Sequence, residues 1–225
     1  MKTVWSSLFP WLRAWLRYCR AYLSLRYRRR YPPVQARMLA VDGLMTTPEV
    51  LLLYQQAREV RGGAIVEIGS FHGRSTIALA LGSQEGNGAP VYAIDPYVSF
   101  TGPLGRKFGP RDKIGFFQNL LFTATTPQVW VIHLPAVQAS RAWREPIALL
   151  WIDGDHSYEG VKADFDSWSP FVIPGGVVAF HDSLDSRLGV NQLIGEIVET
   201  GHYKNIGVVE KITLLRKETA ATRSI

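Results

Sequence analysis

Between Val41 and Lys217 apolar residues come in short runs, parted by polar segments of helical periodicity, and this alternation predicts the elements. "TPEVLLLYQQAREV" reads as a helix with Thr47 at its N-cap and Pro48 at the first helical position, closed by Gly62-Gly63. "AIVEIG" is a β-branched run that reads as a strand, and "GRSTIALALG" as the helix after it. "PVYAID", "VWVIHL", "IALLWIDG" and "GGVVAFHD" read as the second to fifth strands, with helices between most of them. Strand and helix units of this length imply a mostly parallel sheet covered on both faces. After the helical "GVNQLIGEIVETG", the strands "NIGVVE" and "ITLLRK" are parted only by Lys211, which predicts an antiparallel pair finishing the sheet. "PYVSFTGPLGRKFGPRDKIGFFQNL" is rich in glycine and proline and is expected to be an irregular, substrate-facing loop. Its Arg106, Lys107, Arg111 and Lys113 are available to an anionic acceptor, or form a solvated surface.

The first 33 residues follow a different pattern. At helical spacing Arg13, Arg17, Arg20 and Ser24 share one stripe, and Trp11, Trp15, Tyr18 and Tyr22 lie opposite. Arginines interrupt every apolar run well before the roughly 20 residues of a spanning helix, and no small-residue cleavage site follows an apolar core. One reading is a helix in an anionic membrane interface, ended by Arg28, Arg29, Arg30 and Pro32-Pro33. Another is a helix docked on its own domain or on a dimer partner. A nucleic-acid arm is disfavoured, because nothing downstream resembles a base-reading module.

Composition sharpens this division. A chain of 225 residues, 47% hydrophobic, can build one sizeable core, so one α/β domain (41–217) is expected between the basic segment (1–33) and a short tail (218–225). Through Val41 there are eight arginines and Lys2 without a single acid, so the rest of the chain is slightly acidic although the net charge is +6. The single cysteine, Cys19, excludes an internal disulfide framework and a cysteine-based metal cluster, and fits a reducing cytoplasm.

Ligands of open α/β sheets collect beyond the carboxyl ends of the strands. Those ends read Glu67-Ile68-Gly69, Asp95, His133, Asp153-Gly154-Asp155-His156 and His181-Asp182, and four of the five carry a carboxylate. A single buried acid is more often structural, but its recurrence along one edge marks a ligand site. Gly69 and Gly73 permit close backbone approach before the helix opened by Arg74, Ser75 and Thr76. The spacing is E-x-G-x-x-x-G, not the G-x-G-x-x-G of a dinucleotide site, which disfavours an NAD oxidoreductase. Glu67 would repel a pyrophosphate yet suits a cationic ligand, and Asp95 stands where an acid binds ribose hydroxyls. Together they suggest an adenosine ligand without a phosphate chain.

"VEIGSFHGRSTIALA", "VYAIDPY", "LLWIDGDHSYEGVKADFDSW" and "GGVVAFHD", in that order, resemble class I S-adenosylmethionine-dependent methyltransferases, in the small D-G-D-H-S-Y branch with many sugar and natural-product O-methyltransferases. The resemblance implies a Rossmann-like seven-stranded sheet, order 3-2-1-4-5-7-6 with strand 7 antiparallel and helices on both faces. It also implies that Glu67, Gly69, Ser70 and Gly73 surround the methionine and ribose of the cofactor, that Ser75 lies beside them, and that Asp95 holds the ribose diol. Where relatives offer a small polar or acidic residue near the adenine, this chain has "HLPAVQAS", with Ala136 or Gln138 as candidates.

Such an enzyme must align an acceptor for in-line attack on the sulfonium methyl and, for an alcohol, manage its proton. His156 is the first candidate for general base and His181 the second; each is alternatively a structural histidine satisfied by carboxylates. Asp155 is expected to cap the next helix or to orient His156. Asp153 and Asp182 resemble the metal-binding acids of Mg²⁺-dependent O-methyltransferases, with His181 as a further ligand that would also admit Mn²⁺ or Fe²⁺. The expectation is O-methylation of a sugar or other hydroxylated metabolite, with a lipid-linked acceptor at the inner face of a membrane as its most specific form. N-methylation of a small molecule, or a non-catalytic scaffold acting through the basic arm, is the alternative.

Overall fold

The computed structural model describes residues 33–219, so the predicted N-terminal helix and most of the tail lie outside the described residues. The first helix, α1 (Pro33–Leu39), leads into α2 (Thr47–Glu59). The N-cap of α2 is Thr46, one residue before the predicted cap: its Oγ1 accepts the Glu49 amide, while Glu49 Oε2 accepts the Thr46 amide at 2.7 Å. This reciprocal pairing needs the acid three positions after the cap, which Thr46 satisfies and Thr47 does not. Pro48 is therefore the second helical residue.

Four parallel strands and their helices follow: β1 (Ala64–Ile68), α3 (Arg74–Glu85), β2 (Val91–Ile94), then, after an excursion, β5 (Val129–Ile132), α5 (Ala136–Ser140), β6 (Ile147–Ile152) and α6 (Tyr158–Trp168). The chain ends with β7 (Val172–Phe180), α7 (Val190–Glu199), β8 (Tyr203–Val209) and β9 (Ile212–Lys217). The sheet order is β5-β2-β1-β6-β7-β9-β8. Counting only these seven strands, this is 3-2-1-4-5-7-6, and β9 runs antiparallel to both neighbours, as expected. The excursion between β2 and β5 departs from the irregular loop predicted. It contains a small antiparallel hairpin, β3 (Phe100–Thr101) with β4 (Lys107–Phe108), and then α4 (Asp112–Thr123).

The central strands are buried along their whole length, and successive side chains serve two cores. Along β6, Leu149 and Trp151 pack toward α2 and α3, while Leu150 and Ile152 pack toward α6 and α7. The same alternation in β1 sends Ile65 to the α3 side and Val66 and Ile68 to the other. Glu67 therefore projects toward α3, where Thr76 waits for it. The close packing of α2 on α3 depends on Gly82, whose missing Cβ would stand 2.2 Å from the Tyr54 carbonyl oxygen. Among the described residues no helix is long and apolar enough to cross a membrane.

Candidate active site

A cavity of about 530 Å³ opens beyond the carboxyl ends of β1, β2, β6 and β7. Of the predicted cofactor residues, Gly69, Ser70, Ser75 and Asp95 line it, whereas Glu67 and Gly73 do not. Glu67 is fully buried behind the wall, its Oε2 accepting the hydroxyls of Ser70 (2.9 Å) and Thr76. Its role in these contacts is to hold the loop after β1 against α3. Burial pushes its carboxyl up to about 7, against the hydroxyls of Ser75, Thr76 and Ser70, which favour the charge.

The two glycines shape the same loop. Gly69 has φ +86°, and a Cβ there would stand 2.2 Å from the Asp153 carbonyl oxygen, so glycine brings the loop onto the end of β6. Gly73 has φ +80° and faces the Phe116 ring as N-cap of α3. Asp95 completes the floor: Oδ2 accepts the amides of Ser70 and Phe71, both at 3.1 Å, and Oδ1 accepts that of Tyr97 at 2.8 Å. Phe71, Tyr97 and Asp182, which follow three different strands, all adopt positive φ without being glycine. Such strain gathers where a site over-determines its backbone.

The opposite end of the cavity is polar. Asp153 Oδ1 lies 3.0 Å from His181 Nδ1 and 3.4 Å from His156 Nε2, and Asp182 Oδ2 lies 3.7 Å and 3.9 Å from the same two nitrogens. His181 is buried against Trp151, with Glu49 Oε1 at 3.6 Å from its other nitrogen. Burial alone would depress this imidazole, but Asp153, Glu49 and Asp182 hold it up at about 10. His156 is likewise raised: burial opposes the shift, and Asp153 and Asp182 outweigh it. Burial works against the charged form of Asp153 too, yet the two imidazoles keep it well below the usual carboxylate range. Two carboxylates beside His156 favour its protonated form, which counts against it as a free general base. Lys211 Nζ holds the second oxygen of Asp182 at 3.1 Å. Asp155 does not cap α6: Ser157 does, accepting the Gly160 amide, while Asp155 accepts the Ser157 amide just upstream.

The remaining expectations divide. Ala136 lines the cavity; Gln138 is exposed, and His133 packs beside Tyr97 and Phe117. Of the four cations in the glycine-rich segment only Arg106 reaches the cavity, its guanidinium 4.9 Å above the Phe71 ring and 5.6 Å above Phe108. The β3–β4 hairpin is thereby laid across the loop after β1. Glu49 and Lys211 were not legible as site residues, because each is brought in by an element whose own local pattern is satisfied without the site.

The family model described as a methyltransferase domain matches residues 66–183, which include the loop after β1, Asp95 and the Asp153–Asp182 cluster. A cofactor-bound protein from MTB, Rv0187, superposes with a TM-score of 0.65 at 19% identity, covering 84% of this chain and 91% of that one. CalS11, described as a TDP-rhamnose 3'-O-methyltransferase of calicheamicin biosynthesis, superposes with a TM-score of 0.57 at 18% identity, covering 91% and 93%. At these identities the likeness is one of fold. An uncharacterized protein of Sinorhizobium fredii, y4gI, is 29% identical over 127 residues, 55% of this chain but only 13% of that protein, so the chain spans a small fraction of the curated relative it matches. With more than half its length matched by the family model, the chain belongs to the methyltransferase-domain family.

Proposed function

We propose that the protein methylates a hydroxyl of a sugar or related hydroxylated metabolite, lipid-linked and presented at an anionic membrane surface. The observation that carries this reading is the continuity of one cavity from the Gly69–Asp95 floor to the cluster of Asp153, His156, His181 and Asp182. In it Ser70, Ser75 and Asp95 hold the cofactor, and the acceptor lies between the sulfonium and the cluster. An alcohol needs such a cluster, since it attacks only as its proton leaves, whereas an amine acceptor needs less help. The donors fit a divalent cation: Asp153 and Asp182 both stand beside His181, whose buried nitrogens have no hydrogen-bond partner. When bound there, a divalent cation lowers the pKa of a hydroxyl beside it.

Two further features support a lipid-linked acceptor. The cavity mouth carries the exposed apolar side chains of Leu44, Val98, Phe100 and Leu104. Beside them stands Arg106, suited to an anionic group such as a phosphate. CalS11, by its description, methylates a nucleotide-linked sugar, which agrees with a glycosyl acceptor here. Isotopically labelled methyl donor, given to the protein with sugar nucleotides and with lipid extract, is expected to label a sugar O-methyl group; label on nitrogen would overturn the oxygen reading. In flotation with anionic vesicles, replacing Arg28, Arg29 and Arg30 together by alanine is expected to release the protein, and unchanged flotation would overturn the membrane reading.

A further inference from the structure

The polar cluster contains more nitrogen than a magnesium site needs. Neither nitrogen of His181 has a hydrogen-bond partner, although Asp153 Oδ1 is only 3.0 Å from Nδ1. The carboxylate therefore lies off the N–H line of the ring. His156 Nε2 and Asp182 Oδ2 lie close by, and the four N–O separations are 3.0, 3.4, 3.7 and 3.9 Å. The donor atoms of Asp153, His156 and His181 all lie within 4.8 Å of one another. Four donors at bond lengths of roughly 2.0–2.1 Å from one tetrahedral ion would stand about 3.3 Å apart. The N–O separations made by Asp153, 3.0 and 3.4 Å, bracket that value.

The surroundings select the orientation of each donor. His181 is 4% exposed, and its outer nitrogen faces Glu49 Oε1 at 3.6 Å. A carboxylate on that side favours the tautomer with its proton toward Glu49, whose other nitrogen offers its lone pair to a metal. Glu49 is itself fixed, by the Thr46 amide on one oxygen and by the Lys211 amide at 3.2 Å on the other. Lys211 Nζ occupies one oxygen of Asp182 and leaves Oδ2 for the cluster. Asp182 reaches the cluster through a left-handed backbone, φ +48°.

We infer that Asp153, His156 and His181, with Asp182 beside them, form a site for a borderline transition cation of the Zn²⁺ or Co²⁺ kind in preference to Mg²⁺, with Glu49 as the residue that positions His181. The inference rests on the reading of this cluster as the acceptor end of the methyltransferase cavity, and it makes His156 a ligand rather than a general base. Two imidazoles beside two carboxylates suit zinc, cobalt and manganese, whereas Mg²⁺ prefers an all-oxygen shell and keeps much of its water.

The full-length protein, stripped with a chelator, is titrated with Co²⁺ and followed by visible absorption, then with Zn²⁺ and Mg²⁺ by calorimetry. One equivalent of Co²⁺ is expected to give the intense bands of a four-coordinate ion, and Zn²⁺ to bind at least about a hundredfold more tightly than Mg²⁺. His156→Gln and Glu49→Gln are each expected to weaken Co²⁺ binding by about 10–100-fold. A six-coordinate Co²⁺ spectrum, or Mg²⁺ binding as tightly as Zn²⁺, overturns the inference; so does an unchanged Co²⁺ affinity in folded His156→Gln. If a variant loses its circular-dichroism spectrum, the wild-type Co²⁺ spectrum decides alone. S-adenosylhomocysteine binding, measured on the same preparations, separates the two readings. Cofactor binding without metal uptake overturns the cation site only, and failure to bind the cofactor overturns the methyltransferase reading itself.

Discussion

Replacing Glu67 by glutamine tests whether a buried acid at the base of the loop after β1 weakens the fold it organises. The carboxylate is fully buried, with one oxygen taken by the Ser70 and Thr76 hydroxyls and the other without a hydrogen-bond partner. Burial lifts its pKa from 4.5 to about 7, so the folded protein holds this proton more tightly than the unfolded chain does. Between those values the unfolded state ionises first, and stability falls as pH rises through the window and stays lower above it. The lift corresponds to roughly 3 kcal/mol at full ionisation, by the 1.36 kcal/mol of one pH unit. Glutamine keeps an acceptor for both hydroxyls and cannot ionise, so Glu67→Gln is expected to differ little from wild type near about pH 5 and to be more stable by about 2–3 kcal/mol near about pH 8.5. Urea unfolding followed by the fluorescence of buried Trp151 and Trp168 measures both, and the difference between the two proteins removes the titration of every other group. Parallel stability curves for wild type and variant across that range would refute the reasoning.

Gly69→Ala is expected to destabilise by about 2–5 kcal/mol in thermal unfolding, because it adds backbone strain at φ +86° and a Cβ 2.2 Å from the Asp153 carbonyl oxygen. Asp95→Ala removes the acceptor of three loop amides, and calorimetry should show S-adenosylhomocysteine binding weakened at least about tenfold, or about 1.4 kcal/mol. Arg106→Ala loses its contacts with Phe71 and Phe108; the KM for the acceptor should rise about 3–10-fold while that for the cofactor stays within about twofold.

What the chain disclosed of itself follows the range of the interactions involved. The strands were legible because burial on both faces forces unbroken apolar runs such as "IALLWI", and the edge where acids recur is a property of each strand end taken singly. The order of the sheet came through resemblance, since no local pattern says which strands are neighbours. The hairpin of Phe100–Phe108 was hidden by its own brevity: two residues a side, around a Gly-Pro-Leu-Gly tip, give no alternation to read. Three strained residues, Phe71, Tyr97 and Asp182, were invisible for a related reason, because the cavity and not their side chains dictates their positive φ.

Glu49 shows most clearly how a site residue escapes a linear reading. Its local pattern, Thr46 followed three residues on by an acid, is a complete account of a helix start, and nothing in it asks for a second role. Only one carboxylate oxygen serves the cap, however, and the sheet carries the β8–β9 turn and the end of β7 to the other, where the Lys211 amide and His181 meet it. The same geometry explains why this end of the cavity can hold so many ionisable groups. Each carboxylate among Glu49, Asp153 and Asp182 has an imidazole or ammonium partner within 4 Å, so the charges form a network, buried around His181 and closed at its exposed edge by Lys211, in which removing a buried member strands another. Glu67 has no such partner, and that difference places it outside the network: a helix and a loop are fastened through it, and the chemistry is left to the cluster across the cavity.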